Sequence, residues 1–148
     1  MIAVLQRVTN GKVKIGGRVA GDIDNGLVIF LGVHRDDKNE DINFLVDKIL
    51  GLRIFNDSNG KMNISLQDVK GSVLVISQFT LCGDCRKGRR PSFTKAANTD
   101  KGKLLYNGFI DAVRNRGINV KTGEFGAEMD VSLVNSGPVT FVLDTHDR

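Results

Sequence analysis

Apolar and polar positions repeat along this chain with two periods, and the changes of period outline its elements. From Glu40 to Leu50 the apolar residues Ile42, Leu45, Val46, Ile49 and Leu50 recur at i, i+3, i+4, i+7 and i+8, on one face of a helix, with Gly51 as its stop. A second stripe, Leu105, Phe109, Ala112 and Val113, predicts a helix over Lys103 to Arg116, with Asp100 as a candidate cap and Gly117 beyond its end. The remaining apolar runs are short and rich in β-branched residues, as strands are. Lys12 to Ile15 and Arg18 to Asp22 flank Gly16-Gly17, a pair able to take the positive φ angles of a tight hairpin. Leu27 to Val33, Val73 to Phe79, Val131 to Val134 and Val139 to Leu143 read as further strands, Asp57 to Gly60 as a turn, and Asn135 to Thr140 as a turn joining the last two strands. The pattern predicts an α/β domain of α+β character, with much antiparallel sheet and two main helices.

Composition narrows the class without naming a chemistry. A length of 148 residues with no repeat, low-complexity tract or linker predicts a single domain spanning residues 1–148. No apolar run reaches the roughly 20 residues that a membrane helix needs. The opening Met1-Ile2-Ala3-Val4-Leu5-Gln6-Arg7-Val8 lacks the features of a signal peptide, and two cysteines are too few for a secreted disulfide framework, so the expectation is a cytoplasmic protein. A formal charge of +4 is compatible with a polyanionic partner but too small to establish one.

Reactive side chains are scarce. There is no P-loop, G-x-S-x-G elbow or H-E-x-x-H, and a Ser-His-Asp triad would have to recruit His34 or His146. Cys82-Gly83-Asp84-Cys85 has the spacing of a zinc or redox pair, yet no second ligand pair follows at finger-like spacing, and a basic run follows where a redox helix would start. The favoured reading of these thiols is two unbridged loop cysteines. The basic run Arg86, Lys87, Arg89, Arg90 and Lys95 reads either as a solvated loop or as a phosphate contact, since a guanidinium offers a planar fork to phosphate oxygens. A non-catalytic RNA-binding module using loop 86–95 is the alternative that this run keeps open.

Two further segments change the picture: Ser77-Gln78-Phe79-Thr80-Leu81 at the end of an apolar strand, and Asn135-Ser136-Gly137-Pro138-Val139-Thr140. They resemble the two signature motifs of the D-aminoacyl-tRNA deacylase family. The resemblance continues in register through Ile2 to Val8, Leu52 to Phe55, Gly60 to Asn63, Arg86 to Phe93, and Thr122-Gly123 on to Phe125 and Met129. Ser136 stands where that family more often has aspartate, and Cys82 and Cys85 where it usually has other residues. The resemblance implies a barrel-like sheet and a carboxylic-ester hydrolase that frees D-amino acids, and glycine, from tRNA as a homodimer, with aminoacyl-tRNA as its partner and no metal or organic cofactor. It implies a site at Ser77, Gln78, Phe79 and Thr80, whose backbone N–H groups at Phe79 and Thr80 suit an oxyanion. Thr80 is a possible nucleophile but has no neighbouring base in sequence, so positioning is its favoured role. The resemblance further implies a cis Gly137-Pro138 reaching across subunits as a chirality wall braced by Arg7, and Phe125 and Met129 beside the terminal adenosine. Lys87, Arg89 and Arg90 are the expected contacts to tRNA phosphate.

Overall fold

One long strand organises the rest of the chain. In the computed structural model, which describes residues 1–148, β1 (Ile2–Ile15) runs antiparallel to β2 (Arg18–Ile23) over its second half and to β3 (Gly26–Gly32) over its first. Gly16 and Gly17 take φ angles of 56° and 79°, the positive values that the hairpin between β1 and β2 requires. The chain then forms α1 (Asn39–Gly51), the short antiparallel pair β4 (Phe55–Asn56) and β5 (Met62–Ile64), and β6 (Ser72–Ser77). A 3-10 turn (Phe79–Cys82), α2 (Thr99–Arg114), β7 (Val120–Thr122) and β8 (Asp130–Asp144) complete it.

Pairing follows the order β2-β1-β3-β6-β7, with β8 along the other edge of β1. β3, β6 and β7 are parallel to one another, so the sheet is mixed rather than uniformly antiparallel. The reason lies in the connections: α1 lies between β3 and β6, and α2 between β6 and β7, and a helical crossover returns the chain to a parallel neighbour. The sheet closes nearly into a barrel where β2 approaches β7; a Cβ on Gly21 would come within 2.9 Å of the Thr122 carbonyl oxygen, so a side chain there would hold the two apart.

Two apolar clusters follow from the alternation of faces. Leu27, Ile29, Leu31, Val73 and Val75 point toward the helices and pack with Leu45, Ile49 and Phe109; Val28, Leu74 and Ile76 point the other way and pack with Val8, Val13 and Ile23 inside the barrel. Both sheet faces at β3 and β6 are therefore buried, which explains why those strands read as continuous apolar runs. No helix is long and apolar enough to cross a membrane.

The predicted elements differ from the observed ones at their ends. α2 starts earlier than its apolar stripe, capped by Asn98, whose Oδ1 accepts a hydrogen bond from the Lys101 N–H at 2.9 Å; Asp100 lies in the first turn, where its charge suits the helix dipole. Gly51 is the last residue of α1 rather than its stop. The strand expected to reach Phe79 ends at Ser77, and the turn expected at Asn135 to Thr140 is an interruption within the continuous β8. Phe109 is fully buried between the helices and the sheet, so Phe109→Ala is expected to cost about 3–5 kcal/mol, to be read from urea unfolding of both proteins.

Candidate active site

Where β6 ends, the backbone leaves the sheet abruptly. Gln78 donates its N–H to the Leu31 carbonyl at 2.8 Å, and then turns away with φ −146° and ψ 77° to start the 3-10 turn. Gly32 permits the close approach: a Cβ there would meet the Gln78 carbonyl oxygen and the Leu81 Cβ, each at 3.0 Å. The first internal bond of the turn runs from the Leu81 N–H to the Gln78 carbonyl at 3.2 Å, so the N–H groups of Phe79 and Thr80, which precede it, have no partner within the turn. Both residues are exposed. The Thr80 hydroxyl accepts from Gln78 Nε2 at 2.5 Å, and the Phe79 ring meets Phe93 edge-on with centroids 5.1 Å apart.

The turn lies on a cleft of about 470 Å³ whose lining includes Ser77, Gln78, Phe79, Phe125 and Met129. All five lie in two segments more than forty residues apart, and the fold alone brings them together. Phe125 rests against Tyr106, with ring centroids 5.6 Å apart. Tyr106 is itself pinned: its hydroxyl donates to the Val75 carbonyl at 3.0 Å, and burial pushes its pKa up to about 12. Phe79 lines the cleft and Thr80 is the next residue outside its lining; an apolar cleft with free N–H groups in such a turn can hold a flat ring and receive a developing negative charge on a neighbouring oxygen.

Gly137-Pro138 is joined by a cis peptide bond, as expected, but does not line this cleft. β8 pairs Thr140 with Gln6 and Asn135 with Val8, so Ser136, Gly137 and Pro138 bulge outward opposite Arg7, while Val139 turns back into the core. Ser77, Leu31, Ala3 and Leu143 follow one another across the paired strands, and Pro138 is five residues along β8 from Leu143, or about 17 Å at ~3.4 Å per residue. Gly137 and Pro138 are exposed, and within one chain they stand apart from Ser77 to Thr80.

Two side chains fix the bulge. Arg7 is 8% exposed, with Nη1 donating to the Ile54 carbonyl at 2.9 Å and to Asn56 Oδ1 at 3.1 Å, and Nε donating to the Ser136 carbonyl at 3.3 Å. Asn135, which was not singled out from the sequence, donates through Nδ2 to the carbonyls of Arg7 at 3.1 Å and Val139 at 3.0 Å, closing the base of the bulge. Its signal was an amide side chain at the entry to a Gly-Pro turn, a position where Asn commonly bonds nearby backbone.

The other candidates gather elsewhere. Lys87, Arg89 and Arg90 are exposed and form no ion pair, whereas Arg86 is held by Asp84 through Nε at 2.9 Å, a contact that keeps the Asp84 carboxyl well below the usual carboxylate range. Cys82 is buried and Cys85 exposed, and they are not bridged; burial pushes the Cys82 thiol up, away from the thiolate that redox or metal chemistry uses. His34 and His146 pack with ring centroids 4.6 Å apart and planes tilted by 51°, in a separate cleft of about 410 Å³ shared with both cysteines. Burial, then the nearby His146, lowers the His34 pKa. Together with Asp37 they form a potential metal-ligand set with all donor atoms within 4.8 Å, but the Asp37 oxygens already accept from the Met1 nitrogen and the His34 N–H, each at 2.6 Å, and contact His146 at 2.8 Å. Neither histidine is paired with Thr80.

Comparison with known proteins places the chain in a family. Residues 4–144 match the family described as D-Tyr-tRNA(Tyr) deacylase. The D-aminoacyl-tRNA deacylase of Thermosipho africanus is 57% identical over 145 residues, covering 98% of this chain and 97% of that protein. That of Bacillus pumilus is 55% identical over 147 residues, covering 99% and 100%. Among solved structures, the c-Myc DNA unwinding element binding protein aligns with a TM-score of 0.92 at 38% identity, over 98% of this chain and 99% of that one. A probable eukaryotic D-amino acid tRNA deacylase aligns at 0.83 with 20% identity over 96% and 97%, a likeness of fold alone. Fold and relatives together define a hydrolase. The chain belongs to the D-Tyr-tRNA(Tyr) deacylase family.

Removing the Arg7 guanidinium would leave the buried Ile54 carbonyl without its donor and release Ser136. Arg7→Ala is therefore expected to lose about 1–3 kcal/mol, measured by urea unfolding, while Arg7→Lys recovers only part because an ammonium lacks the fork that spans two carbonyls.

Proposed function

We propose that this protein hydrolyses the ester of D-aminoacyl-tRNA, and of glycyl-tRNA, releasing the free amino acid and tRNA as a proofreading step for translation in the cytoplasm. The observation that carries the reading is the pair of free N–H groups at Phe79 and Thr80 beside a cleft of suitable size. The terminal adenosine enters between Phe125 and Met129, whose aromatic face and soft thioether pack on a base. Water attacks the ester carbonyl, its oxygen becomes an oxyanion facing the two N–H groups, and the bond to the ribose oxygen then breaks with a proton passing to that oxygen. The neighbouring ribose hydroxyl helps organise the water. An aminoacyl ester is already activated, so positioning and charge stabilisation supply what is needed, and the reading assigns no step to a metal or organic cofactor. The hydrogen bond from Gln78 supports a positioning role for Thr80, whose hydroxyl has no base beside it.

Chirality is sorted by Gly137-Pro138 of a second copy of the chain. Its carbonyl oxygens hold the substrate ammonium and leave no space for an L side chain, so selectivity comes from steric rejection. The separation of this pair from the cleft of its own chain supports a contribution in trans. Support for a homodimer also comes from β8, whose outer edge is unpaired and which exposes Val134 and Val142, an arrangement that monomers usually cover. Lys87, Arg89 and Arg90 contact tRNA phosphate through charge alone, with little dependence on tRNA identity.

The test is hydrolysis of D-tyrosyl-tRNA and L-tyrosyl-tRNA side by side. Release of D-tyrosine alone is expected; equal release from both would remove the chirality wall, and binding of tRNA with both esters intact would leave a non-catalytic RNA-binding module. Thr80→Ala is expected to keep deacylation within about tenfold of the parent, because loss of one positioning contact is worth ~1 kcal/mol or a little more. A fall of several orders of magnitude in kcat with the fold intact would restore the nucleophile.

A further inference from the structure

Two glycines, Gly102 in the lining of the cleft and Gly123 beside it, are not held at positive φ and so have no left-handed backbone to explain them. Gly102 lies in the first turns of α2, with its N–H bonded to the Asn98 carbonyl at 2.8 Å, and Gly123 follows β7; neither is among the residues of positive φ. Inside a helix alanine is the better residue, so glycine at 102 goes against local preference. Space explains both. A Cβ on Gly102 would stand 3.2 Å from Cζ of Phe125, closer than the 3.4–4 Å of ordinary contact. A Cβ on Gly123 would stand 2.4 Å from Sδ of Met129 and 3.5 Å from Cγ2 of Val13.

In each case the atom met is a side chain of the cleft, and it is the side chain that must yield. Phe125 cannot retreat along the helix, because Tyr106, one turn on from Gly102, already backs its ring and is pinned by its bond to Val75. Met129 is flexible and is the side chain that would swing away, since Val13, the other neighbour of the added methyl, is fully buried. We propose that Gly102 and Gly123 are positioning residues that set the width of the adenosine slot, each by leaving the volume in which one of its two walls, Phe125 or Met129, is seated. The inference rests on the reading that this cleft takes the terminal adenosine of aminoacyl-tRNA, and it adds that the slot's specificity is written partly in methyl groups missing next to its walls.

Steady-state hydrolysis of D-tyrosyl-tRNA, with adenosine monophosphate as a competing ligand, tests it. Gly102→Ala is expected to raise KM and the AMP inhibition constant together, by roughly tenfold, with kcat within about twofold, the pattern of lost uniform binding. Its melting temperature should be equal to or above that of the parent, because alanine favours the helix, so a general loss of structure would move the two readouts the same way and positioning moves them apart. In a Phe125→Leu background, Gly102→Ala should leave KM where Phe125→Leu alone sets it, because the methyl no longer meets a ring. Gly123→Ala should behave likewise in a Met129→Ala background. The proposal is overturned if KM is unchanged in both single variants, if KM rises without the AMP constant, or if the effects multiply in the double variants. Should Gly102→Ala fail to fold, the pair with Phe125→Leu decides: a folded double variant matching Phe125→Leu supports the proposal, and an unfolded one overturns it. If the parent itself leaves D-tyrosyl-tRNA intact, the functional reading fails, whatever the glycine variants do.

Discussion

The main sheet takes its register from the hydrogen bonding of β1, which is paired along both edges. A strand of fourteen residues that meets β2 and β3 on one side and β8 on the other leaves little freedom in where those three strands lie. Because side chains alternate across a strand, a slip of one residue would turn Leu5 from the helices toward the barrel and Val8 out of the barrel. The register is thus held by burial on both faces, and one of the departures from it, between Gln6 and Val8, is where β8 throws out Ser136 to Pro138. Arg7 and Asn135 satisfy the backbone carbonyls that this departure leaves without ladder partners.

The same economy governs the opposite end of the sheet. β6 ends, the backbone turns tightly enough to leave two N–H groups free, and an exposed phenylalanine stands beside them. Exposed aromatic surface is unfavourable in a resting protein and useful when a ligand covers it, and N–H groups open to solvent are available to the same ligand. Their neighbours are correspondingly rigid: Tyr106 is bonded to the sheet, Phe125 rests on Tyr106, and Gly32 lets the turn sit directly against β3. Preorganised donors of this kind stabilise charge without moving, which is why a scarcity of reactive side chains does not argue against catalysis.

The two helices and the strands beneath them could be read from the spacing of apolar residues, because burial on one face imposes a period of 3.6 or 2 that is local to each segment. The Gly16-Gly17 hairpin and the Asp57 to Gly60 turn were equally legible, since the backbone angles of a tight turn are set by the residues within it. The resemblance carried by Ser77 to Leu81 and by Asn135 to Thr140 pointed to the family. The parallel pairing of β3, β6 and β7 was not legible as such; it depends on which strands the helices carry the chain back to.

What the sequence by itself determined, then, is the set of local elements and the poverty of nucleophiles and bases, because both are properties of short stretches or of simple counts. The tertiary structure decided that Arg7 is buried rather than a surface arginine, that Asn135 closes the bulge, that β8 is one strand with an interruption, and that Phe125 and Met129 share a cleft with the turn after β6. Each of these depends on contacts between distant residues, such as Arg7 and Ser136, separated by 129 positions. No pattern within a window of a dozen residues encodes such a meeting, because its geometry is fixed only when the whole register of β1 has been satisfied.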